Sequence, residues 1–147
     1  MVFNALAAWV MLSLSFSGSS GQPVISVHHW KAMEYPARAR LARVHGTVSI
    51  TAILQKSQNP SDYRVGKYEA TGHPMLRDAA VKNLRSWSFY CYGCKANERP
   101  TYHVTYEFRF DEKCIESECF KRSSTFQSGR VVVETSAPEA PTNYSTK

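Results

Sequence analysis

The sequence predicts an α+β domain in which a small antiparallel sheet of three to four strands packs against two helices. Hydrophobic and polar residues alternate along two segments, residues 48–54 and Thr101–Phe110, with the two-residue period of half-buried strands. Between them, residues 76–87 place apolar side chains at the spacing of an amphipathic helix. A chain of 147 residues has the length of one such domain.

The first predicted helix and strand follow each other closely. Pro36 fits the first turn of a short helix, and Gly46 ends it. The apolar side of this helix would be Ala37, Leu41 and Val44. The strand after it would bury Val48, Ile50, Ala52 and Leu54. A turn-rich stretch over residues 57–63 and a second strand over residues 64–71 complete a predicted hairpin.

The second predicted helix begins at Pro74, directly after His73 at the cap position, and its apolar stripe continues to Trp87. It would cover the apolar face of the Thr101–Phe110 strand. That face consists of Tyr102, Val104, Tyr106, Phe108 and Phe110. Arg130–Thr135 is expected to form a last short strand, and residues 136–147 a flexible tail.

The start of the chain resembles a secretory signal. Residues 1–30 contain no Asp, Glu, Lys or Arg, and the apolar run of residues 5–16 is followed by small residues up to Gly21. We therefore predict a signal peptide over residues 1–21 and an exported protein. An uncleaved anchor in the inner membrane is the alternative, although a membrane span needs about 20 apolar residues. A cytosolic protein is the third option.

Four cysteines fit an oxidising compartment, where an even number indicates disulfides. They are Cys91, Cys94, Cys114 and Cys119. The predicted Thr101–Phe110 strand holds the two pairs apart, so the local bridges Cys91–Cys94 and Cys114–Cys119 need the least chain reversal. A four-cysteine zinc site and free thiols are the alternatives.

Two motifs, over residues 35–48 and 71–89, resemble in sequence and in order the C-terminal domain of the TonB family. Residues 35–48 (YPARARLARVHGTV) are similar to the family's opening motif, which has a Tyr-Pro pair, a helix of small residues and a glycine at the first strand. Residues 71–89 (TGHPMLRDAAVKNLRSWSF) are similar to its second helix, and Thr101–Phe110 matches the strand that follows. The resemblance implies a TonB C-terminal-like domain over residues 28–135 in a periplasmic protein.

The resemblance also implies a function in energy-coupled transmembrane transport. Domains of this family bind an outer-membrane TonB-dependent transporter through its TonB-box peptide, which adds to the sheet as a strand. By resemblance, Thr101–Phe110 would lie at the sheet edge. The side chains flanking the peptide would be Thr101, His103, Thr105, Glu107 and Arg109. Tyr35 and Pro36 are further candidate contacts, with packing onto the first helix as their alternative.

Several alternatives stay open at the level of sequence. Arg130–Thr135 would close the binding edge if it paired there, and deletion of residues 114–147 would then increase affinity for TonB-box peptides. The connection between leader and domain is short, so a stand-alone periplasmic interaction module without motor coupling is the alternative to a partner of an inner-membrane motor complex. The sequence also leaves open whether the protein forms a homodimer.

The residues predict no catalysis, cofactor or metal site. Cys91 and Cys94 have the spacing of a thiol–disulfide oxidoreductase, but they follow a helix end instead of preceding a helix that would lower a thiol pKa. Eighteen Lys and Arg residues against twelve Asp and Glu give a net charge of +6. Helical geometry spreads Arg38, Arg40 and Arg43 around the first helix, so we interpret them as a solvated face and predict no nucleic-acid binding.

Overall fold

A computed structural model of the chain describes residues 21–111 and 124–138. These residues form seven strands and two helices. Their order is β1 (Val24–His29), α1 (Ala37–Leu41), β2 (Gly46–Lys56), β3 (Tyr63–Thr71), α2 (Pro74–Leu84), β4 (Ser88–Tyr92), β5 (Thr101–Phe110), β6 (Ser124–Gln127) and β7 (Arg130–Thr135). Residues 1–20 of the predicted signal peptide, Cys114, Cys119 and residues 139–147 of the predicted tail lie outside the described residues.

The seven strands form one sheet in the order β1-β4-β3-β2-β5-β7-β6. Neighbouring strands are antiparallel, except that β5 and β7 are parallel. The predicted sheet of three to four antiparallel strands on two helices is therefore wrong. The sheet is larger and mixed, and the helices are short, with 5 residues in α1 and 11 in α2.

The error has a physical reason, which concerns β1, β4 and β6, the three strands that the sequence pattern does not predict. β4 and β6 have 5 and 4 residues, too few to establish a clear two-residue period, and β1, with 6 residues, does not alternate between buried and exposed positions. β1 and β4 are stabilised by pairing with each other, from Val24↔Tyr92 to His29↔Ser88, and such pairing is not visible in a local pattern.

The predicted hairpin and the second helix are confirmed. Val48, Ile50, Ala52 and Leu54 of β2 are all buried, and β2 pairs with β3 from Ser49↔Thr71 to Lys56↔Tyr63. α2 begins at Pro74, and the His73 ring nitrogen Nδ1 accepts the Met75 N–H at 3.3 Å as the helix cap.

The predicted apolar side of α1 is wrong. Leu41 is 73% exposed, whereas Ala39 is fully buried. A helix of 5 residues makes little more than one turn, so its sequence pattern contains too few positions to define a face.

The core lies between one sheet face and the two helices, and a buried amide joins its parts. Asn83 Oδ1 accepts hydrogen bonds from the Trp87 indole N–H at 3.0 Å and from the Tyr106 hydroxyl at 2.9 Å. Its Nδ2 group donates to the Lys31 carbonyl at 2.9 Å. Trp87 is fully buried, as predicted. Asn83 therefore connects α2, β5 and the segment before α1.

Of the two predicted local bridges, Cys91–Cys94 is confirmed. It closes the turn after β4, where Gly93 has a φ of 79° that favours a residue without a side chain. No helix within residues 21–111 or 124–138 is long and apolar enough to cross a membrane.

Candidate functional site

The five predicted binding residues of β5 occupy alternate positions, so their side chains share the sheet face opposite the core. They are Thr101, His103, Thr105, Glu107 and Arg109. Thr105 and Glu107 are half-buried and the other three are exposed. The His103 ring nitrogen Nδ1 lies 3.0 Å from the Thr51 hydroxyl of β2. The structure thus brings the five side chains together in one row, and their binding role stays a prediction.

Tyr35 and Pro36 lie on the other side of β5, within or next to the core. The Tyr35 ring contacts Phe108 and Phe110 with centroid distances of 5.6 and 5.4 Å, and its hydroxyl donates to the Val44 carbonyl at 2.6 Å. Burial raises the pKa of Tyr35 to about 12. Pro36 is the N-cap residue of α1. In this conformation the pair is separate from the row on β5.

β5 is not at the sheet edge, so that expectation is wrong for this conformation. β2 pairs with one side of β5, and β7 pairs with the other from Thr105↔Arg130 to Phe110↔Thr135. The alternative, in which the last strand closes the edge, is the arrangement in the structure. Pairing with β7 begins at Thr105, so residues 101–104 have no strand partner on that side within the described part of the chain.

β6 and β7 form an antiparallel hairpin over residues 124–135, which we call the terminal hairpin. Its apolar side belongs to the core, because Val131 and Val133 are fully buried. Phe126 packs against Trp30 and Trp87 with centroid distances of 5.7 and 5.0 Å. The hairpin is therefore part of the packed domain.

Two ion pairs join the terminal hairpin to the solvent side of β5. Arg109 pairs with Glu134, and Arg130 pairs with Glu107. The hydrogen bond from Arg109 to Glu134 raises the pKa of Arg109. Arg130 and Glu134 were not predicted as site residues. The signal in the sequence is their charge order, which complements Glu107 and Arg109 when the two strands run parallel.

Two arginines, one in α1 and one just after it, bind the segment that follows β7. Arg40 donates to the backbone carbonyl and to the hydroxyl of Ser136, both at 3.1 Å. Arg43 donates to the Pro138 carbonyl at 3.1 Å. Arg40 is half-buried, so the interpretation of the basic run as a solvated helix face is wrong for this residue, whereas Arg43 is exposed. Where the chain enters the hairpin, the Met33 N–H donates to the Ser124 hydroxyl at 2.8 Å.

The fold and this site define a class of protein: a small domain with one mixed sheet of seven strands, in which the terminal hairpin pairs with β5. The family model for the C-terminal domain of the Gram-negative bacterial TonB protein matches residues 31–111. The match covers more than half of the 147 residues, and the chain belongs to this family. No curated protein and no solved structure matches the chain.

Membership of the family establishes the general character of the protein. It is a TonB-like protein of envelope transport, from a family of non-catalytic interaction domains that lie in the periplasm or at the envelope. Interaction with outer-membrane transporters is the activity that the family implies. The matched segment ends at Asp111, one residue beyond β5.

Proposed function

We propose that the protein binds the TonB-box peptide of an outer-membrane transporter by strand addition to the β7 side of β5. One observation carries this proposal: a parallel strand, β7, already occupies that edge, and it lies beyond the segment that the family shares. Without the terminal hairpin, β5 would be an edge strand with unpaired N–H and C=O groups. The edge is therefore suited to a strand, and the hairpin acts as its internal occupant.

The contacts of β7 define what a peptide on the same track must supply. Val131 and Val133 are buried at alternate positions, so the peptide needs apolar side chains at two alternate positions. An acidic residue next in line would replace Glu134 opposite Arg109. The backbone pairing itself is independent of sequence, so these side chains would provide the selectivity.

The terminal hairpin weakens peptide binding by competition. It is covalently attached to the domain, so its effective concentration at the edge is on the order of millimolar. The apparent affinity is reduced by the fraction of molecules in which the edge is free. Full-length protein should therefore bind a TonB-box peptide weakly, and changes that release the hairpin should tighten binding.

The substitution Glu134→Lys tests this competition. It removes the ion pair with Arg109 and places two cations side by side, at a site where Arg109 is 52% exposed. For such an exposed pair we expect about 1 kcal/mol of hairpin destabilisation, which corresponds to about fivefold tighter binding of a TonB-box peptide in a calorimetric titration.

The matched control is Glu69→Lys, which makes the same charge change on an exposed position of β3. Equal affinities for the two variants would contradict the proposal, since net charge alone would then explain any gain. A point substitution is preferable to deletion of residues 114–147, because deletion also removes Val131 and Val133 from the core.

A second candidate is a stand-alone periplasmic interaction module that works without the inner-membrane motor. The closed β5 edge favours it, because a domain with an internal occupant is inactive until that occupant leaves. A photo-crosslinking amino acid in place of His103 distinguishes the motor-coupled function from the stand-alone function in cells. His103 is exposed and lies on the part of β5 that β7 does not pair with. Crosslinks to a transporter that disappear when the motor is de-energised support the coupled function, and crosslinks unaffected by de-energising support the second.

A further inference from the structure

A groove of positive charge lies at the start of β5, at the opposite end of that strand from Asp111. Two adjoining cavities of about 330 and 430 Å³ share Gln55 and Arg99 in their walls. We call their union the Arg99 groove. Residues in its wall include Ile53, Gln55, Lys56, Gly66, Lys67, Glu98, Arg99 and Thr101.

A β-bulge builds the floor of the Arg99 groove. Ile53 pairs with Lys67 and Leu54 pairs with Val65, so Gly66 is an extra residue in β3. A Cβ atom on Gly66 would lie 2.8 Å from the Oε1 atom of Gln55. The glycine therefore leaves room for the Gln55 side chain to lie across the bulge.

Strand register brings the positive residues to this floor. Lys67, Ile53 and Thr101 form one row across β3, β2 and β5. The Leu54 N–H donates to the Pro100 carbonyl at 2.8 Å, which fixes the segment before β5, and with it Arg99, beside β2. Lys56 is the last residue of β2 and lines the second cavity.

Basic residues outnumber acidic residues in the wall of the Arg99 groove. No ion pair within the described ranges includes Lys56, Lys67 or Arg99. Glu98 is the single acidic residue in the wall. Its carboxylate accepts the Lys95 backbone N–H at 2.8 Å, a contact within the loop that precedes β5. Three cations thus face one acid, and an anion in the groove would relieve their mutual repulsion.

We propose that the Arg99 groove is a binding site for a phosphate group. A guanidinium forms paired hydrogen bonds to two phosphate oxygens, which Arg99 would provide, and the two lysines would add charge from either side. The Gln55 amide and the Thr101 hydroxyl, which also lines the groove, are neutral donors within the same wall. The phosphate belongs either to a lipid headgroup or to a soluble phosphate compound.

The test compares two double variants with the same change of net charge. Lys67→Gln with Arg99→Gln removes two charges of the groove, and Arg77→Gln with Lys82→Gln removes two from α2, outside it. The probes are pyrophosphate, followed by amide chemical shifts in NMR, and vesicles of phosphatidylglycerol with phosphatidylcholine, followed by co-sedimentation. We expect the groove variant to lose about tenfold in affinity and the α2 variant less than twofold.

Each outcome decides the proposal. Pyrophosphate-dependent shifts at Gln55, Lys67 and Arg99 without vesicle binding assign a soluble phosphate, and vesicle binding that only the groove variant loses assigns a lipid headgroup. Both together support the shared phosphate chemistry. Equal losses in the two variants, or no binding of either probe, overturn it. The site shares no charged residue with the β5–β7 contact, so failure here leaves the proposed peptide binding intact.

Discussion

Asn83 connects three parts of the core through its side chain. Its side chain accepts from Trp87 and Tyr106 and donates to the Lys31 carbonyl, and only 9% of the residue is exposed. Helical spacing places Asn83 on the apolar stripe of α2, seven residues after Leu76 and four before Trp87, but the sequence does not reveal which groups its amide bonds. The side chain is buried because the indole and phenol beside it each need an acceptor.

Replacement of Asn83 by alanine should therefore be severe. It leaves two buried donors and one carbonyl without partners, which costs about 3 kcal/mol in the free energy of unfolding. Urea denaturation followed by tryptophan fluorescence measures this loss. Asn97→Ala, at an exposed loop position, is the control and should change stability by less than about 0.5 kcal/mol. A similar small loss for both variants would show that Asn83 does not hold the core.

Tyr35 gives the stability of the protein a pH dependence at high pH. Burial raises its pKa from 10.0 to about 12, so the folded state keeps the phenol proton more tightly than the unfolded state. This contribution is complete below pH 10 and is lost as the pH rises towards about 12, because the unfolded chain ionises first.

Tyr35→Phe should separate this contribution from the rest. At pH 7 the variant lacks the hydrogen bond to the Val44 carbonyl and should be less stable than the wild type by about 1 kcal/mol. Between pH 10 and 12 its stability should fall less steeply, so the deficit narrows. Urea unfolding of both proteins at pH 7, 9 and 11 measures the difference in stability. A difference that stays constant over this range argues against a buried, neutral Tyr35.

At the scale of elements, the predictable parts are those with a complete period of their own. β2, α2 and β5 each repeat apolar residues often enough to identify their buried face, and the five side chains on β5 follow from that alternation. β1 and β4 do not alternate, because their burial depends on where the partner strand lies. The sheet position of β7 likewise depends on a long-range pairing.

The terminal hairpin shows the same limit for the candidate site. The sequence is compatible with both an open and a closed β5 edge, and the alternation of apolar residues does not distinguish the two. The closed edge results from several contributions acting together: two buried valines, two ion pairs, and the hydrogen bonds of Arg40 and Arg43. Because exposed ion pairs contribute little individually, most of the stabilisation comes from the valines.

At the scale of the whole molecule, the strands divide according to the family match. β4, β3, β2 and β5 lie within residues 31–111 and are adjacent and antiparallel in the sheet. β1 lies before this segment and β6 and β7 lie after it, and they form the two ends of the sheet. The sequence pattern predicts β2, β3 and β5 within the matched segment and β7 after it, but it does not predict β1, β4 or β6.

Within the described residues, this arrangement leaves three edges where a peptide could add as a strand. They are the β5 edge beneath the terminal hairpin and the outer edges of β6 and β1, the two end strands of the sheet. Val24 of β1 and its partner Tyr92 are 61% and 62% exposed, so a strand would also be tolerated there. We expect the peptide to bind at the β5 edge.

The most direct test is an NMR spectrum of isotope-labelled full-length protein with an unlabelled TonB-box peptide at saturating concentration. We predict nuclear Overhauser effects between the peptide and Thr105, Glu107 and Arg109, together with loss of strand-like chemical shifts at Val131 and Val133. Contacts between the peptide and β1, with unchanged shifts throughout β7, would contradict the account.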